Sequence, residues 1–205
     1  MIHPSKGNIF IVSAASGTGK TTLVSRVLEN NHDIKVSVSH TTRQPREGEI
    51  NGKHYYFLNV AEFEQLIVNN AFLEYAKVFD NYYGTSVKEV NALREQGYDV
   101  ILEIDIQGAE QVRRLLPDAC SIFILPPSFP ILAERLRGRG TDSTEVIEKR
   151  LNKARNEIEQ AFMFNYVVIN DNLDDAETDI THIIKAHRLK QSVQQRFIEK
   201  LLENS

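Results

Sequence analysis

An α/β fold, with a parallel sheet covered by helices on both faces, is what this sequence predicts, and three observations carry it. Four short apolar runs, at 9–13, 100–104, 121–125 and 166–169, read as buried strands. Stretches with apolar residues at helical spacing separate them, at 21–29, 87–96, 108–115, 130–137 and from about 173 to 202. The chain has 205 residues, enough for one α/β domain with insertions. Apolar strands alternating with helices argue a parallel sheet whose two faces are both buried. Residues 35–39 read as a further strand near the first helix.

The first strand runs into Ser-Ala-Ala-Ser-Gly-Thr-Gly-Lys-Thr-Thr, residues 13–22, and then into the first helix. Strand, glycine-bearing loop ending in Gly-Lys-Thr, helix: this is the context a phosphate-binding P-loop requires. Gly17 and Gly19 let the backbone enter conformations closed to residues with a Cβ. Successive N–H groups then turn inward around phosphate oxygens. The helix start adds partial positive charge. Lys20 supplies a full charge toward the terminal phosphates, and the Thr21 hydroxyl reaches a magnesium ion. The nucleotide-binding set is therefore Ala14, Ser16, Gly17, Thr18, Gly19, Lys20, Thr21 and Thr22. The pattern's usual first glycine is Ala14 here, small enough for the loop to survive.

Two segments interrupt the alternation. Residues 39–84 are polar, aromatic-rich and dotted with glycine, and read as a small mixed lobe with short antiparallel strands and a helix at 61–69. Residues 128–162 are dominated by charge and read as two helices joined by a turn rich in Gly and Arg. Such a hairpin is usually a solvated face, but Arg135, Arg137 and Arg139 beside glycines suit a mobile, phosphate-seeking lid.

Within the lobe, Arg43 and Arg46 lie three apart in a loop-like stretch holding a proline and a glycine. Planar guanidiniums bind phosphate through two parallel hydrogen bonds, although most such pairs taken alone are surface residues. The strand at 100–104 carries Glu103 and is followed by Asp105. Ligands of open α/β sheets sit beyond the carboxyl ends of strands, and a P-loop enzyme places an acid after such a strand near its magnesium. Asp105 also fits as the cap of a following helix, but the glycine loop favours the active-site role.

These motifs, in this order and spacing, resemble the bacterial-type guanylate kinases over essentially the whole length. The resemblance rests on SAASGTGKTT, SHTTRQPREGEINGKHYYF, FLEYAKVFDNYYGTS, ILEIDIQGA, RLRGRGTDS and NYVVINDN. It implies a P-loop nucleoside monophosphate kinase fold: a core at about 1–38, 85–127 and 163–205, a GMP-binding lobe at about 39–84 and a helical lid at about 128–162. It implies transfer of a phosphoryl group from ATP to GMP with magnesium. Lys20 would bind the ATP phosphates. Arg43 and Arg46, with Tyr55 and Tyr83, would hold the GMP phosphate. Ser39, Glu74 and Thr85 would read the guanine. Asp105 would sit near the GMP end with Glu103. Arg135, Arg139 and Arg150 would clamp the transferring phosphate, and Asn170 would lie near the adenine. Guanine offers two donors beside one acceptor, which a carboxylate and a hydroxyl complement. By themselves, Glu74 would read as an exposed strand residue and the tyrosines as ordinary lobe residues. His40, Asn165 and Thr85 depart from the family pattern.

Composition excludes other classes. The net charge is −4, from 24 basic and 28 acidic residues, which argues against nucleic acid and anionic membranes as partners. Cys120 is the only cysteine, so neither an internal disulfide nor a cysteine-based metal site can form. No signal-peptide pattern opens the chain and no apolar run is long enough for a bilayer, which points to the cytoplasm. Two other readings stand beside the first: a kinase of another phosphorylated small molecule, and a non-catalytic peptide-binding module of the same fold. The helical C-terminal segment could pack on the core or on a second copy, which leaves a homo-oligomer open.

Overall fold

The computed structural model describes residues 6–78, 80–138 and 144–203. In chain order the elements are β1 (Ile9–Ala14), α1 (Lys20–Asn30), β2 (Ile34–Val36), β3 (His40–Thr41), β4 (Tyr56–Phe57), α2 (Val60–Val68), β5 (Phe72–Val78), β6 (Asn81–Ser86), α3 (Val87–Glu95), β7 (Asp99–Glu103), α4 (Ile106–Leu115), β8 (Cys120–Leu125), α5 (Phe129–Arg137), α6 (Thr144–Glu159), β9 (Tyr166–Ile169), α7 (Leu173–Arg188) and α8 (Gln191–Glu203). They form two compact units. One holds the residues up to Ile9 together with Asp33–Ala119, the other Phe10–His32 together with Cys120–Ser205. Among the described residues no helix is long and apolar enough to cross a membrane.

In the second unit, β8 pairs in parallel with both β1 and β9, with Phe10 opposite Cys120 and Ile122 opposite Tyr166. Ile9–Ser13 and Cys120–Ile124 are buried without a break. Alternate strand residues point to opposite faces, so both faces of β1 and β8 are covered, as their apolar runs predict. β9 departs from that expectation. Val168 is buried while Val167 and Ile169 are exposed, the pattern of a strand with one covered face. The C-terminal segment also differs: it is two helices. α7 stops where Leu189 N–H returns to the Ala186 carbonyl (3.1 Å) and Gln194 Nε2 donates to the Arg188 carbonyl (2.8 Å). Leu189 is apolar, so the hydrophobic period continues through the break and hides it, although the residue is exposed.

In the first unit, β2 pairs in parallel with β7, and is shorter than the 35–39 run suggests. Asn8 donates its backbone N–H (2.7 Å) and its side-chain amide (2.9 Å) to the buried Asp99 carboxylate. The lobe is a four-stranded sheet ordered β4-β3-β6-β5. Its strands are not all antiparallel as expected, because β4 runs parallel to β3. Phe63 of α2 is fully buried, stacked on Phe72 at 4.4 Å and Tyr82 at 5.1 Å. A capping box between Asn59 and Glu62 starts that helix.

Two of the residues that depart from the family pattern have structural accounts. Asn165 Oδ1 accepts hydrogen bonds from the Ser121 N–H (2.9 Å) and hydroxyl (2.8 Å), and its own N–H donates to Ser121 Oγ (3.0 Å). Only acceptor capacity is used on the side chain, so aspartate serves as well. Asn165→Asp should leave unfolding stability nearly unchanged. Asn165→Leu orphans the Ser121 donors and should cost about 1–3 kcal/mol in chemical denaturation. His40 stacks on Tyr56 at 4.7 Å and meets Phe72 edge-on at 5.5 Å, with Nδ1 buried and lacking a hydrogen-bond partner. Burial pushes the imidazole below its ordinary pKa. The folded chain thus binds fewer protons there than the unfolded chain below about pH 6.5, and stability falls as the pH drops from about 6.5 through the lowered value. Between pH 7.5 and 5.5, His40→Gln should lose less stability in thermal melts than the parent; an equal loss excludes His40 as the cause.

Candidate active site

The loop between β1 and α1 takes its shape from two glycines. Gly17 has φ of 89° and Gly19 has φ of 90°, in the left-handed region that suits glycine. Space also demands glycine. A Cβ at Gly17 would lie 2.8 Å from Leu136 and 3.0 Å from Leu132, both fully buried on α5. A Cβ at Gly19 would lie 2.8 Å from Asn170 Nδ2. Ala14 raises no such demand. It is the last residue of β1, in register with Ile124, so an ordinary Cβ fits.

Of the α-helices whose N-caps are described, α2, α3, α4, α5 and α7 each carry a side-chain cap, and α1 does not. Its cap is Gly19, followed by half-buried Lys20 and then by Thr21 and Thr22 on the exposed side. An anion fits a helix start of this kind, with the positive end of the dipole and a lysine together.

Turning backbone N–H groups toward a ligand turns carbonyls the other way, and those need donors. The Thr18 carbonyl receives Asn170 Nδ2 (2.7 Å) and Arg135 Nη1 (3.2 Å). Arg135 Nη2 also donates to the Asn170 carbonyl (3.0 Å). Thr18 is itself buried, its hydroxyl donating to the Ala15 carbonyl at 3.0 Å. Arg135 and Asn170, expected on the lid and beside the adenine, thus spend these groups on the loop. The hairpin is fastened there by apolar contact too: Ala15, Leu132, Leu136, Ile147 and Ala154 form one buried cluster. Glu157 of α6 accepts the Ser16 N–H at 3.1 Å and pairs with Lys153 at 3.5 Å. The Ser16 contact is not visible in sequence, because Glu157 lies 141 positions away. Arg150 lies half-buried on α6, and Arg139 is outside the described residues.

The first unit gathers the remaining candidates. Arg43 makes a bidentate pair with Glu49, at 2.8 and 3.0 Å, and its guanidinium lies 5.3 Å from the Tyr55 ring centroid. The Tyr83 ring centroid lies 6.0 Å from that of Tyr55. Burial first, and then the charge of Glu103, hold the Tyr55 hydroxyl above its ordinary pKa, so it remains a proton donor. The Arg43 hydrogen bond, followed by the Arg46 N–H, draws the Glu49 carboxyl down to about 2. Arg46 extends an exposed side chain, and Ser39 is half-buried with its carbonyl accepting the Tyr56 N–H at 2.9 Å.

Glu74 is not the exposed strand residue that its sequence suggests in isolation. It is 4% exposed, and the Thr85 hydroxyl donates to it at 2.6 Å. The Thr85 proton thus goes to Glu74, leaving the hydroxyl its acceptor lone pairs. Glu74 lies against the first turn of α4: a Cβ at Gly108 would come within 2.4 Å of Glu74 Oε2. The helix start there offsets the buried negative charge. Asp105 caps that helix, accepting the Gly108 N–H at 2.8 Å. The cap reading of Asp105 is therefore realised, and through it Asp105 fixes the turn against which Glu74 rests.

Comparison with known proteins converges on one family. The family model described as Guanylate kinase matches residues 6–187. The chain is 68% identical to the guanylate kinase of Neisseria gonorrhoeae over 98% of both chains. It is 50% identical to that of Escherichia coli K12, over 97% of this chain and 99% of the other. The crystal structure of guanylate kinase from Anaplasma phagocytophilum superposes with a TM-score of 0.75 at 32% identity, covering 96% of this chain and 98% of that one. A glycine loop with Gly-Lys-Thr on one unit, and a buried acid with a paired arginine and two tyrosines on the other, agree with that match: the chain belongs to the guanylate kinase family.

Proposed function

We propose that this chain transfers the γ-phosphoryl group of ATP to GMP, giving ADP and GDP, within purine nucleotide metabolism. The observation that carries the reading is buried Glu74, held between Thr85 and the start of α4 in the unit that also holds Arg43, Tyr55 and Tyr83. A carboxylate can accept both donors of guanine's N1 and 2-amino positions. Adenine lacks the 2-amino group and has an acceptor at N1, so it would leave this buried acid facing a lone pair. Arg43 with the two tyrosines suits the dianionic phosphate of the same nucleotide. The reading brings GMP or dGMP, ATP and magnesium as small-molecule partners, and a cytoplasmic setting.

The attacking group would be a GMP phosphate oxygen, already ionised at neutral pH, so no general base is required. What remains is alignment of two anions and compensation of their charge. In this reading the glycine loop and Lys20 hold the ATP phosphates, while Arg43, Arg46, Tyr55 and Tyr83 hold the acceptor phosphate. Thr21, in the first turn of α1, is the residue that would hold magnesium, which offsets phosphate charge when bound with ATP. Arg139 and Arg150 would add positive charge at the transferring group. Arg135 contributes by keeping the loop's shape.

Magnesium-dependent ADP formation should be strong with GMP and dGMP and weak with AMP, CMP and UMP. Comparable rates with a non-guanine nucleotide would overturn the base assignment. Lys20→Ala should lower kcat by about 100-fold or more with the fold intact by circular dichroism. Gly108→Ala tests the base pocket separately. Its Cβ would collide with Glu74 Oε2, so KM for GMP should rise by about tenfold or more while KM for ATP stays put. An unchanged KM for GMP would remove Glu74 from base recognition.

A further inference from the structure

The Arg43–Glu49 pair uses the guanidinium in a particular way. Nη1 donates to Glu49 Oε2 (3.0 Å) and to the Gln44 carbonyl (2.7 Å), and Nη2 donates to Glu49 Oε1 (2.8 Å). A guanidinium has five N–H donors in fixed directions. These contacts take both protons of Nη1 and one of Nη2. The remaining two, on Nε and Nη2, run parallel along the other edge. That edge is the second fork to which a phosphate can bind bidentately.

Glu49 is held from its own side as well. Its Oε2 accepts the Arg46 N–H at 2.7 Å, and its N–H returns to the Arg46 carbonyl at 3.0 Å. Gly48, with φ of 82°, makes the turn that allows this. One carboxylate therefore fixes the backbone of Arg46 and the plane of Arg43 together. The rings of Tyr55 and Phe57, 5.3 and 5.8 Å from the guanidinium, limit its tilt.

We propose that Glu49 is a positioning residue for the acceptor phosphate: it occupies the terminal edge of Arg43 so that the Nε–Nη2 edge is presented to the phosphate of GMP. The inference rests on the guanylate kinase reading and deepens it. A negative charge beside a phosphate site would on simple Coulomb grounds weaken binding. The geometry argues that orientation of Arg43 outweighs this, because a long side chain loses much freedom when it must be ordered by the ligand itself. The carboxylate stays ionised throughout the working pH range, so the arrangement does not switch with pH.

Calorimetric titration of the parent, Glu49→Gln and Glu49→Asp with GMP and with guanosine tests this. The expected result is a GMP Kd raised about tenfold or more in Glu49→Gln, an intermediate value in Glu49→Asp, and a guanosine Kd unchanged in both. Equal weakening of GMP and guanosine would mean a merely structural role and overturn the proposal. Unchanged GMP binding would also overturn it. Tighter GMP binding would overturn it too, by making Glu49 a competitor of the phosphate. Should Glu49→Gln fail to fold, the same comparison on Glu49→Asp decides. If the parent itself binds no GMP, the guanylate kinase reading falls first, and this inference with it.

Discussion

A P-loop must solve a hydrogen-bonding problem before it can bind anything, and the Thr18 carbonyl shows where this chain solves it. Pointing successive N–H groups at a ligand leaves carbonyls aimed into the protein. A buried carbonyl without a donor costs about 1–3 kcal/mol. Asn170 and Arg135 both donate to this one, and Arg135 also ties down the Asn170 backbone. The left-handed glycines on either side can therefore keep their conformation because something else fixes Thr18 between them. Leu132 and Leu136, against which Gly17 rests without a Cβ, supply the apolar half of the same support. The position of α1, of Lys20 and of Thr21 follows from a loop held in this way.

The first unit shows the complementary problem, that of keeping ionised groups in a partly buried place. Glu74 is buried, and burying an unpaired carboxylate is costly. Its negative charge is met by the Thr85 hydroxyl and by the positively polarised first turn of α4. The cap provided by Asp105 forms that turn. Gly108 is what lets Glu74 approach it. Arg43 is treated the same way with opposite sign, by Glu49 and by the aromatic faces of Tyr55 and Phe57. Each of these two charges is thus compensated by partners within its own unit.

The contiguous parts of this arrangement were legible in the sequence. The glycine loop, Arg43 with Arg46, and the acids at the end of β7 each lie within a few residues of one another, and local pattern carries them. Parallel strands were legible for the same reason, since β1 and β8 are unbroken apolar runs. What was not legible depends on distant residues or on unchanged periodicity. Glu157 reaches Ser16 across the chain, and Gly108 becomes meaningful only once Glu74 is seen against it. Asp105 read as an active-site acid ahead of a helix cap, because both need an acid at that position and only the structure shows the cap. The break between α7 and α8 escaped because Leu189 keeps the apolar period while lying exposed. Glu49 lies inside one of the quoted motifs, but only the turn at left-handed Gly48 and the resulting hydrogen bonds show that it folds back onto Arg43.

A chain of net charge −4 that handles phosphates must concentrate positive potential locally. Concentrated cations repel one another and attract any anion, unless each has an internal counterion. The two units answer alike. Glu49 sits on Arg43, and Glu157, paired with Lys153, sits on the Ser16 N–H. Both carboxylates belong to the same unit as the group they occupy. A nucleotide then competes with, or adds to, an existing hydrogen-bond pattern rather than organising loose side chains. Which of the two it does depends on geometry. Arg43 has a second edge to offer, so a phosphate meeting it would add to the pattern there. A single backbone N–H has only one proton, so any ligand atom that takes the Ser16 N–H must displace Glu157. The same chemical device therefore acts as a brace in one unit and as a replaceable contact in the other, a difference set by the number of donors on the group each carboxylate meets.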